Sequence, residues 1–423
     1  MPASTLNDPS TLPIGPTLHL SPRRELWLLL TLAGIQFTHI LDFMIMMPLG
    51  PEFTRIFGLS DAQFGLLVSA YTLSAAVSGL FASTYIDRFD RKKLLLTLYV
   101  LFALATLACG LANSYETLMA ARIAAGVFGG VLSALSQTIV GDLIPFERRG
   151  RAMGVVMTSF SLSTVAGVPA GLFLATHLNW HVPFFGIAAI SAVLAVVAAL
   201  TLPRIDAHLH AADRPSPLRG VWQVLREADH LRAFGLSALL MFGGFTVIPF
   251  LTIAMQANAG LTPTEVPYIY LCGGALTLFS ARFFGRLTDR WGKVRTFRTM
   301  ALAVCVPLVT VTLLRHQPLW VVLPVTSLFF ILMSGRMIPA MAMLASAAKP
   351  SVRGAFMTLN TSVQSAAMGL AALVGGLIIS RDAQGMVQFY WAAALLGVGA
   401  HCAAVWLSGR INLADAPKPQ ANH

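Results

Sequence analysis

The chain has 423 residues, of which 56% are hydrophobic and 11% are charged, and it carries a formal net charge of +11. Soluble globular proteins of average composition carry roughly a quarter charged residues. Apolar stretches of about 20 residues recur along the whole chain, and each is long enough to cross the hydrocarbon core of a bilayer. The composition predicts an all-α polytopic membrane protein, and basic cytoplasmic loops, not nucleic-acid binding, account for the positive charge.

Residues 1–22 are rich in proline, serine and threonine and lack the apolar core of a signal peptide, so they are predicted to form a disordered cytoplasmic tail. Twelve apolar segments follow, each predicted to be a transmembrane helix: 26–48, 63–86, 94–112, 117–141, 152–176, 181–202, 233–256, 266–287, 297–314, 319–346, 355–379 and 387–408. The polar segment 204–232 is predicted to be a central cytoplasmic loop, part of which can lie on the membrane surface as an amphipathic helix. The sequence thus predicts two six-helix bundles, at 23–203 and 233–408, and a second cytoplasmic tail at 409–423.

The distribution of basic residues predicts how the chain is oriented. When the N-terminus is placed in the cytoplasm, the loops on the opposite side hold only Arg55, Arg315 and Arg381. Cytoplasmic loops of membrane proteins are enriched in lysine and arginine. This asymmetry predicts a multi-pass protein of the inner (cytoplasmic) membrane, with both termini in the cytoplasm.

One charged hairpin occurs twice in the sequence. "STYIDRFDRKK" at 83–93 and "GRLTDRWGKVR" at 285–295 place Asp87 and Asp289 at an offset of 202 residues. Upstream, "GLSDAQ" and "GLTPTE" repeat at the same offset, and both read as the capping box that begins a helix. The repeats predict two homologous halves related by a pseudo-twofold axis.

The second hairpin resembles a signature loop of the major facilitator superfamily. That loop follows the second helix of each half and reads G-x-L-x-D-R-x-G-R-K/R; its matching residues here are Gly285, Asp289, Arg290, Gly292 and Lys293. The resemblance covers all twelve predicted helices. It implies a transporter in which two bundles rock about a central site near the middle of the membrane.

The first hairpin matches the same signature only in its charged residues, Asp87, Arg88, Arg91 and Lys92. Ser83 and Asp90 stand at the two glycine positions, and the bend is expected to persist because aspartate tolerates left-handed conformations. The resemblance implies that the hairpins form a cytoplasmic latch, in which Asp87 pairs with basic residues and with a helix N-terminus of the other half. The alternative is that they only enforce the orientation of the chain.

Few ionisable residues lie inside the predicted membrane spans. Inserting one such residue at the middle of a span costs about 2.5–3.5 kcal/mol of free energy, so each marks a candidate functional site. The first span carries Gln36, His39 and Asp42, the fourth carries Arg122, and the tenth carries Arg336. Counted at 1.5 Å per residue, Asp42 and Arg122 lie at similar depths below the outer surface, which predicts that they pair.

The fourth span also resembles a motif of proton-driven drug exporters in this superfamily. Arg122, Gly126 and Gly129 follow the R-x-x-x-G pattern, although Ala125 replaces the usual glutamine. The resemblance implies that Asp42 takes up and releases a coupling proton with Arg122. Burial favours the protonated acid and Arg122 favours the carboxylate, so a conformational change could shift the balance. The alternative is a permanent structural ion pair.

Other polar residues in the spans are assigned weaker roles. His39, one turn from Asp42, is either a proton relay or a histidine satisfied in a helix contact. No acidic residue lies well inside the last six spans, so Arg336 is predicted to line the substrate cavity, or else to bond backbone carbonyls or its neighbouring amides. The other predicted cavity residues are Gln36, Asn360 and Gln364.

Small residues predict close helix contacts in two spans. The residues concerned are Gly126 and Gly130 in the fourth span and Gly167, Pro169 and Gly171 in the fifth. The fifth-span sequence "GVPAG" loosely resembles the Gly-Pro motif of antiporters in the superfamily, with a valine intervening, and this favours export.

The sequence lacks the common catalytic and nucleotide-binding motifs G-x-x-x-x-G-K-[ST], H-E-x-x-H and G-x-S-x-G. Its four cysteines lie in apolar runs without C-x-x-C spacing, so no metal, cofactor or enzymatic activity is predicted. We predict a monomeric secondary transporter that exports a small amphiphilic compound in exchange for protons. The alternatives are a proton symporter for a small anion or sugar, and a channel or receptor without coupled transport.

Overall fold

The computed structural model describes residues 21–206, 209, 217–347 and 352–411. Nine helices form the part before and within the central loop: α1 Pro22–Ile45, α2 Gly50–Phe57, α3 Asp61–Tyr85, α4 Arg91–Gly110, α5 Tyr115–Leu143, α6 Phe146–Leu162, α7 Val168–His177, α8 His181–Thr201 and α9 Pro217–Arg226. A further nine follow: α10 Ala228–Phe245, α11 Leu251–Ala257, α12 Val266–Trp291, α13 Lys293–Ala303, α14 Cys305–Thr310, α15 Leu319–Gly335, α16 Met337–Ala347, α17 Arg353–Ile378 and α18 Tyr390–Ser408. Strands β1 Ser380–Arg381 and β2 Val387–Gln388 form one antiparallel hairpin.

The helices account for nearly all the predicted membrane spans. Within the described residues, eleven helical segments are long and apolar enough to cross a membrane. The predicted eighth span coincides with α12, which has 26 residues but is not among the eleven. Arg282 and several small and polar residues reduce the hydrophobicity of this helix. The all-α fold is confirmed, and the count of twelve stays a prediction.

Within the described residues, four of the predicted spans are interrupted, and prolines explain the breaks in the fifth and seventh; the ninth is divided at Val304, between α13 and α14. The fifth span passes from α6 through a π-turn at Ser163–Gly167 into α7, whose second residue is Pro169. The seventh span passes from α10 through a 3₁₀ turn containing Pro249 into α11. Proline has no N–H for the helical ladder, so it favours a break of this kind. The tenth span is divided at Arg336, between α15 and α16.

The apolar residues form one shared core and two separate cores. The shared core lies at the predicted outer ends of the spans and draws buried residues from both halves, including Phe64, Phe250 and Ala372. Rings of Phe43 and Phe245, one from each half, stack there with centroids 6.0 Å apart. At the predicted cytoplasmic end, each half has a core of its own. With the predicted orientation, this is the packing of an inward-facing conformation.

An ion pair joins the two halves at the outer end. Asp61, the first residue of α3, accepts three hydrogen bonds from Arg381: Nη2 donates to Oδ1 at 2.9 Å, and Nε donates to Oδ2 at 3.1 Å and to Oδ1 at 3.3 Å. The Asp61 side chain is only 3% exposed, whereas Arg381 is 34% exposed. The start of α3 is fixed by a capping box between Ser60 and Gln63. The pair therefore links a rigid helix start to the β-hairpin of the other half.

We expect Asp61→Asn to weaken closure of the outer end. The lost charge-assisted pair is worth about 1–2 kcal/mol after allowance for the exposure of Arg381. Spin labels at position 55 on α2 and at position 315 in the segment before α15, both at the predicted outer end, should show a larger population of long distances by electron paramagnetic resonance. The reversed pair Asp61→Arg with Arg381→Asp should return the distribution toward the original one. An unchanged distribution in Asp61→Asn would show that the pair does not hold the outer end closed.

Candidate functional site

The two predicted coupling residues meet inside the first half. Arg122 of α5 donates a hydrogen bond from Nη1 to Oδ2 of Asp42 on α1, at 2.9 Å, and the same nitrogen lies 3.2 Å from the Asp42 carbonyl oxygen. Both side chains are completely buried. The structure thus places these residues together, as their similar depths predicted.

The ion pair does not satisfy its own hydrogen-bonding groups. Within the described part of the chain, Oδ1 of Asp42 and the Nε and Nη2 atoms of Arg122 have no partner within hydrogen-bond distance, although the Thr106 hydroxyl lies near the Asp42 carboxylate and the Cys109 thiol lies near Arg122. A buried structural ion pair is normally bidentate and further hydrogen-bonded, because unpaired buried polar atoms are costly. This pair therefore retains an open carboxylate oxygen, where a proton can be held without displacing Arg122 Nη1.

Tyr71 completes the site, and the sequence analysis did not identify it. The Arg122 guanidinium carbon lies 4.3 Å from the centroid of the Tyr71 ring on α3, a cation–π distance. The Tyr71 hydroxyl is buried without a hydrogen-bond partner among the described residues. In the sequence, Tyr71 is one aromatic residue within an apolar span, and nothing in the pattern separates it from core residues.

His39 also lies next to Tyr71. Its ring centroid is 6.2 Å from that of Tyr71, and its Nδ1 atom is buried without a partner in the described structure. A Cβ atom on Gly129 of α5 would lie 2.8 Å from the Tyr71 hydroxyl oxygen and 3.2 Å from Nε2 of His39. The absence of a side chain at Gly129 therefore allows the hydroxyl and the imidazole to approach the same helix face.

The predicted cavity residues Gln36 and Gln364 make hydrogen bonds within their own halves in this conformation. Gln36 donates to the Ser133 hydroxyl at 2.9 Å, within the first half. Gln364 donates to the Ser237 hydroxyl at 2.9 Å, within the second half. Asn360 is buried, and its Oδ1 atom has no partner among the described residues. A common cavity role for these residues stays a prediction.

Arg336 lies inside the second half, where it is only 4% exposed. Its Nη1 atom donates to the Leu240 carbonyl oxygen on α10 at 2.9 Å, and Nη2 contacts the Met333 sulfur at 3.2 Å. The neighbouring Gly244 leaves room for this guanidinium, since a Cβ there would be 3.0 Å from Nη2. Of the two roles considered for Arg336, bonding to a backbone carbonyl is the one seen in this conformation.

The cytoplasmic hairpins bond within their own halves. Arg91 pairs with Asp142 of α5 at 2.9 Å, and Lys92 donates to the Leu202 carbonyl oxygen at the end of α8. Lys293 donates to the Ser346 hydroxyl of α16 at 2.6 Å. A latch between halves is expected only when the predicted cytoplasmic end is closed, and each half has its own core at that end here, so the latch stays a prediction.

The remaining hairpin residues are exposed, lie within a helix or fall outside the described residues. Arg88, Asp289 and Arg290 are exposed, and the side chain of Asp87 lies outside the described residues. Gly285 lies inside α12 with open space where a side chain would stand.

The two hairpins start their following helices differently. Gly292 precedes α13 with a φ of 83°, a left-handed conformation that favours glycine. Asp90, at the corresponding position, has a φ of −55° and accepts a hydrogen bond from the Lys93 N–H at 3.1 Å. The expected left-handed bend at Asp90 is therefore wrong. An aspartate side chain can cap a helix directly, and here that cap replaces the glycine turn.

The small residues lie where helices make close contact. A Cβ on Gly130 would lie 2.6 Å from Cα of Ala75 on α3, and Gly126 lies against the Tyr71 carbonyl on the same helix. In the fifth span, a Cβ on Gly171 would lie 2.6 Å from Cδ1 of Ile45, and Gly167 lies against Leu41. The first pair brings α3 close to α5 and so positions Tyr71 over Arg122.

We expect Gly130→Ala to destabilise the protein by about 1–3 kcal/mol, because the new methyl group overlaps the backbone of α3. Gly141→Ala is the matched control on α5, since no atom lies within 4 Å of its Cβ position. That control should be neutral or stabilising, because alanine favours a helix over glycine. Thermal unfolding of both variants in detergent measures the difference, and equal melting temperatures would contradict the packing argument.

The fold and the buried ion pair define a class of protein, a polytopic helical carrier with a charged site inside its first bundle. The chain belongs to the Major Facilitator Superfamily, whose family model matches residues 32–323 and also residues 233–422. The match confirms the family inferred from the hairpin.

Curated relatives of the chain include transporters and resistance proteins. It is 25% identical over 81% of its length to the uncharacterised MFS-type transporter YtbD of Bacillus subtilis, covering 85% of that protein. It is 28% identical to a chloramphenicol resistance protein of Streptomyces lividans, covering 57% of this chain and 61% of that protein. It is 26% identical to multidrug resistance protein 2 of Bacillus subtilis, covering 61% and 66% respectively.

Solved structures show the same fold. A D-xylose–proton symporter superposes with a TM-score of 0.75 at 16% identity, covering 93% of this chain and 99% of that one. A bacterial homologue of the human lysosomal transporter Spinster, in an inward-facing and occupied conformation, gives a TM-score of 0.71 at 16% identity, covering 95% and 100%. These similarities confirm the fold of the superfamily.

Proposed function

We propose that this transporter exports a small amphiphilic organic compound across the cytoplasmic membrane in exchange for protons. The observation that carries the proposal is the fully buried Asp42–Arg122 pair, joined through one guanidinium nitrogen and left with an open carboxylate oxygen. The names of two relatives, a chloramphenicol resistance protein and a multidrug resistance protein, support export. We take the protein to act as a monomer of two bundles, at 23–203 and 233–408, with both termini in the cytoplasm.

The conformation suggests where each proton enters and leaves. The outer ends of both halves share one apolar core, and Asp42 lies beneath it. A proton from outside would therefore reach Asp42 only when the halves rock to the outward-facing state. In the inward-facing state, Arg122 favours the carboxylate, so the proton leaves toward the cytoplasm. Protonation of Asp42 removes its attraction for Arg122. The protonated and ionised forms of Asp42 therefore stabilise the two conformations to different extents.

The direction of coupling can be tested in proteoliposomes with imposed pH gradients. Chloramphenicol is a suitable first probe, because a relative is named for resistance to it. For an antiporter, an acidic lumen drives accumulation of the probe, whichever way the protein is inserted. Protons moving outward should be visible as alkalinisation of a trapped pH-sensitive dye. Accumulation driven by an acidic exterior would contradict exchange.

A second candidate is proton-coupled uptake of a small anion or sugar. The buried Arg336 favours it, because among the described residues its partners are a carbonyl oxygen and a thioether, with no carboxylate. A guanidinium of this kind can bind a substrate anion once its helix moves. The same gradient experiment separates the candidates, since symport requires an acidic exterior. Accelerated uptake of labelled probe into vesicles loaded with unlabelled probe would separate both from a channel or receptor.

A further inference from the structure

Three tryptophan–arginine pairs lie at one end of the second half and its preceding loop. The motif W-x-x-x-R occurs at Trp222–Arg226, Trp291–Arg295 and Trp406–Arg410. In each pair the guanidinium carbon lies over the indole ring, at 5.0, 5.5 and 3.6 Å from its centroid respectively. The three indoles are between 48% and 59% exposed on the protein surface. All three pairs lie on the side that the charge distribution assigns to the cytoplasm.

Two of these pairs lie at adjoining helix ends together with Arg232 and Arg298; the four arginines, Arg232, Arg295, Arg298 and Arg410, are here called the arginine patch. Arg298 of α13 donates from Nε to the Ser408 hydroxyl at 3.0 Å, beside the end of α18. Arg232 of α10 donates from Nη1 to the Arg410 carbonyl oxygen at 3.2 Å. Three helix ends therefore meet at the patch, with Arg295 one turn before Arg298 on α13.

Among the described residues, neighbouring acidic side chains do not balance the charge of the patch. Asp229, which accepts from Arg232 at 2.8 Å, is the one acidic side chain that these arginines contact within the described residues. In the same part of the structure, the guanidiniums of Arg295 and Arg410 contact indole rings and have no hydrogen-bond acceptor. Like charges held together repel each other unless an anion lies between them. The N–H groups of Arg295 and Arg410 are free to bind that anion.

We infer that the arginine patch binds the headgroup of an anionic phospholipid of the cytoplasmic leaflet. Arginine forms paired hydrogen bonds to phosphate oxygens, which suits it to this ligand. Exposed tryptophan is the residue that membrane proteins place at the lipid headgroup level, so Trp291 and Trp406 locate the patch at that depth. Basic surfaces between helices on the cytoplasmic side are typical sites for anionic headgroups. The bound lipid would join the ends of α10, α13 and α18.

The test uses the full-length protein in neutral mixed micelles, with tryptophan fluorescence quenched by brominated lipids. We expect brominated phosphatidylglycerol to quench at much lower mole fraction than brominated phosphatidylcholine. The double variant Arg295→Gln with Arg410→Gln should bind phosphatidylglycerol roughly 30-fold more weakly, since each basic residue near a membrane surface contributes about fivefold. Arg315→Gln, in an outer loop, is the matched control and should bind as the original protein does.

Three results would overturn the inference. The first is equal quenching by the two lipids, and the second is unchanged phosphatidylglycerol binding in the double variant. The third is competition by millimolar inorganic phosphate that removes the preference for phosphatidylglycerol, which would show that the patch binds small anions instead of a lipid. Circular dichroism checks that the double variant is folded. Because Arg295 and Arg410 are exposed, their substitution is not expected to disrupt the fold.

Discussion

Asp42→Asn is expected to abolish proton movement and to lower the melting temperature, because the buried Arg122 cation loses its counter-charge, while the protein still folds in the membrane. Asparagine has nearly the shape of aspartate but cannot take up and release a proton, and it keeps an oxygen to accept from Arg122 at the 2.9 Å contact. Gradient-driven accumulation of the probe should fall by at least 100-fold. Exchange of labelled for unlabelled probe without a gradient should continue, because it does not require net proton transfer.

Proteoliposomes with a trapped pH-sensitive dye measure both activities of Asp42→Asn on one preparation. Asp206→Asn is the matched control, since Asp206 bonds Arg204 in the central loop, away from the ion pair. Proton movement in Asp42→Asn at the original rate would remove Asp42 from the mechanism. Loss of exchange together with coupling would indicate that Asp42 holds the structure and does not carry the proton.

Arg122→Gln is expected to destabilise the protein strongly. It leaves the Asp42 carboxylate buried without its cation, which typically costs about 3–5 kcal/mol when one member of a buried pair is removed. The acid should escape this cost by remaining protonated, so coupled transport should also be lost. Thermal unfolding in detergent should show a large decrease in melting temperature that is smaller at acidic pH.

The double variant Asp42→Asn with Arg122→Gln distinguishes a charge effect from a packing effect. Two neutral amides can bond each other, so most of the stability lost in Arg122→Gln should return, without any return of coupling. If the double variant is as unstable as Arg122→Gln, the loss comes from the arginine stem and its contact with Tyr71. The pair would then be a structural element, which is the alternative that the sequence also allowed.

The sequence predicted the pairing of Asp42 and Arg122 because both residues can be placed by counting. Each lies in a long apolar helix, and the rise per residue converts a position in the span into a depth. Tyr71 could not be found in this way, since its role depends on which face of α3 meets α5. Close contacts at Gly126 and Gly130 decide that face, and only the packed helices show them.

The hairpin sequences identified the family but did not predict all of the local backbone conformation. The aspartates and glycines of the two hairpins were sufficient to indicate the superfamily, which the family model confirms. The conformation at Asp90 differed from the expectation, because a side-chain cap and a left-handed glycine can both begin a helix at the same position. Composition alone does not choose between two local solutions of similar energy.

Hydrophobicity and charge along the chain determined by themselves that it is a helical membrane protein, and the repeated hairpin predicts its two homologous halves. Each helix satisfies its own backbone in lipid, so local sequence suffices to specify it. The tertiary structure decided which end of the bundles is closed, how Asp61 meets Arg381 across 320 residues, and that Arg336 bonds a carbonyl oxygen. These features depend on contacts between segments that are far apart in the sequence. The energies of such contacts differ between conformations of the same chain, so the order of residues alone does not predict them.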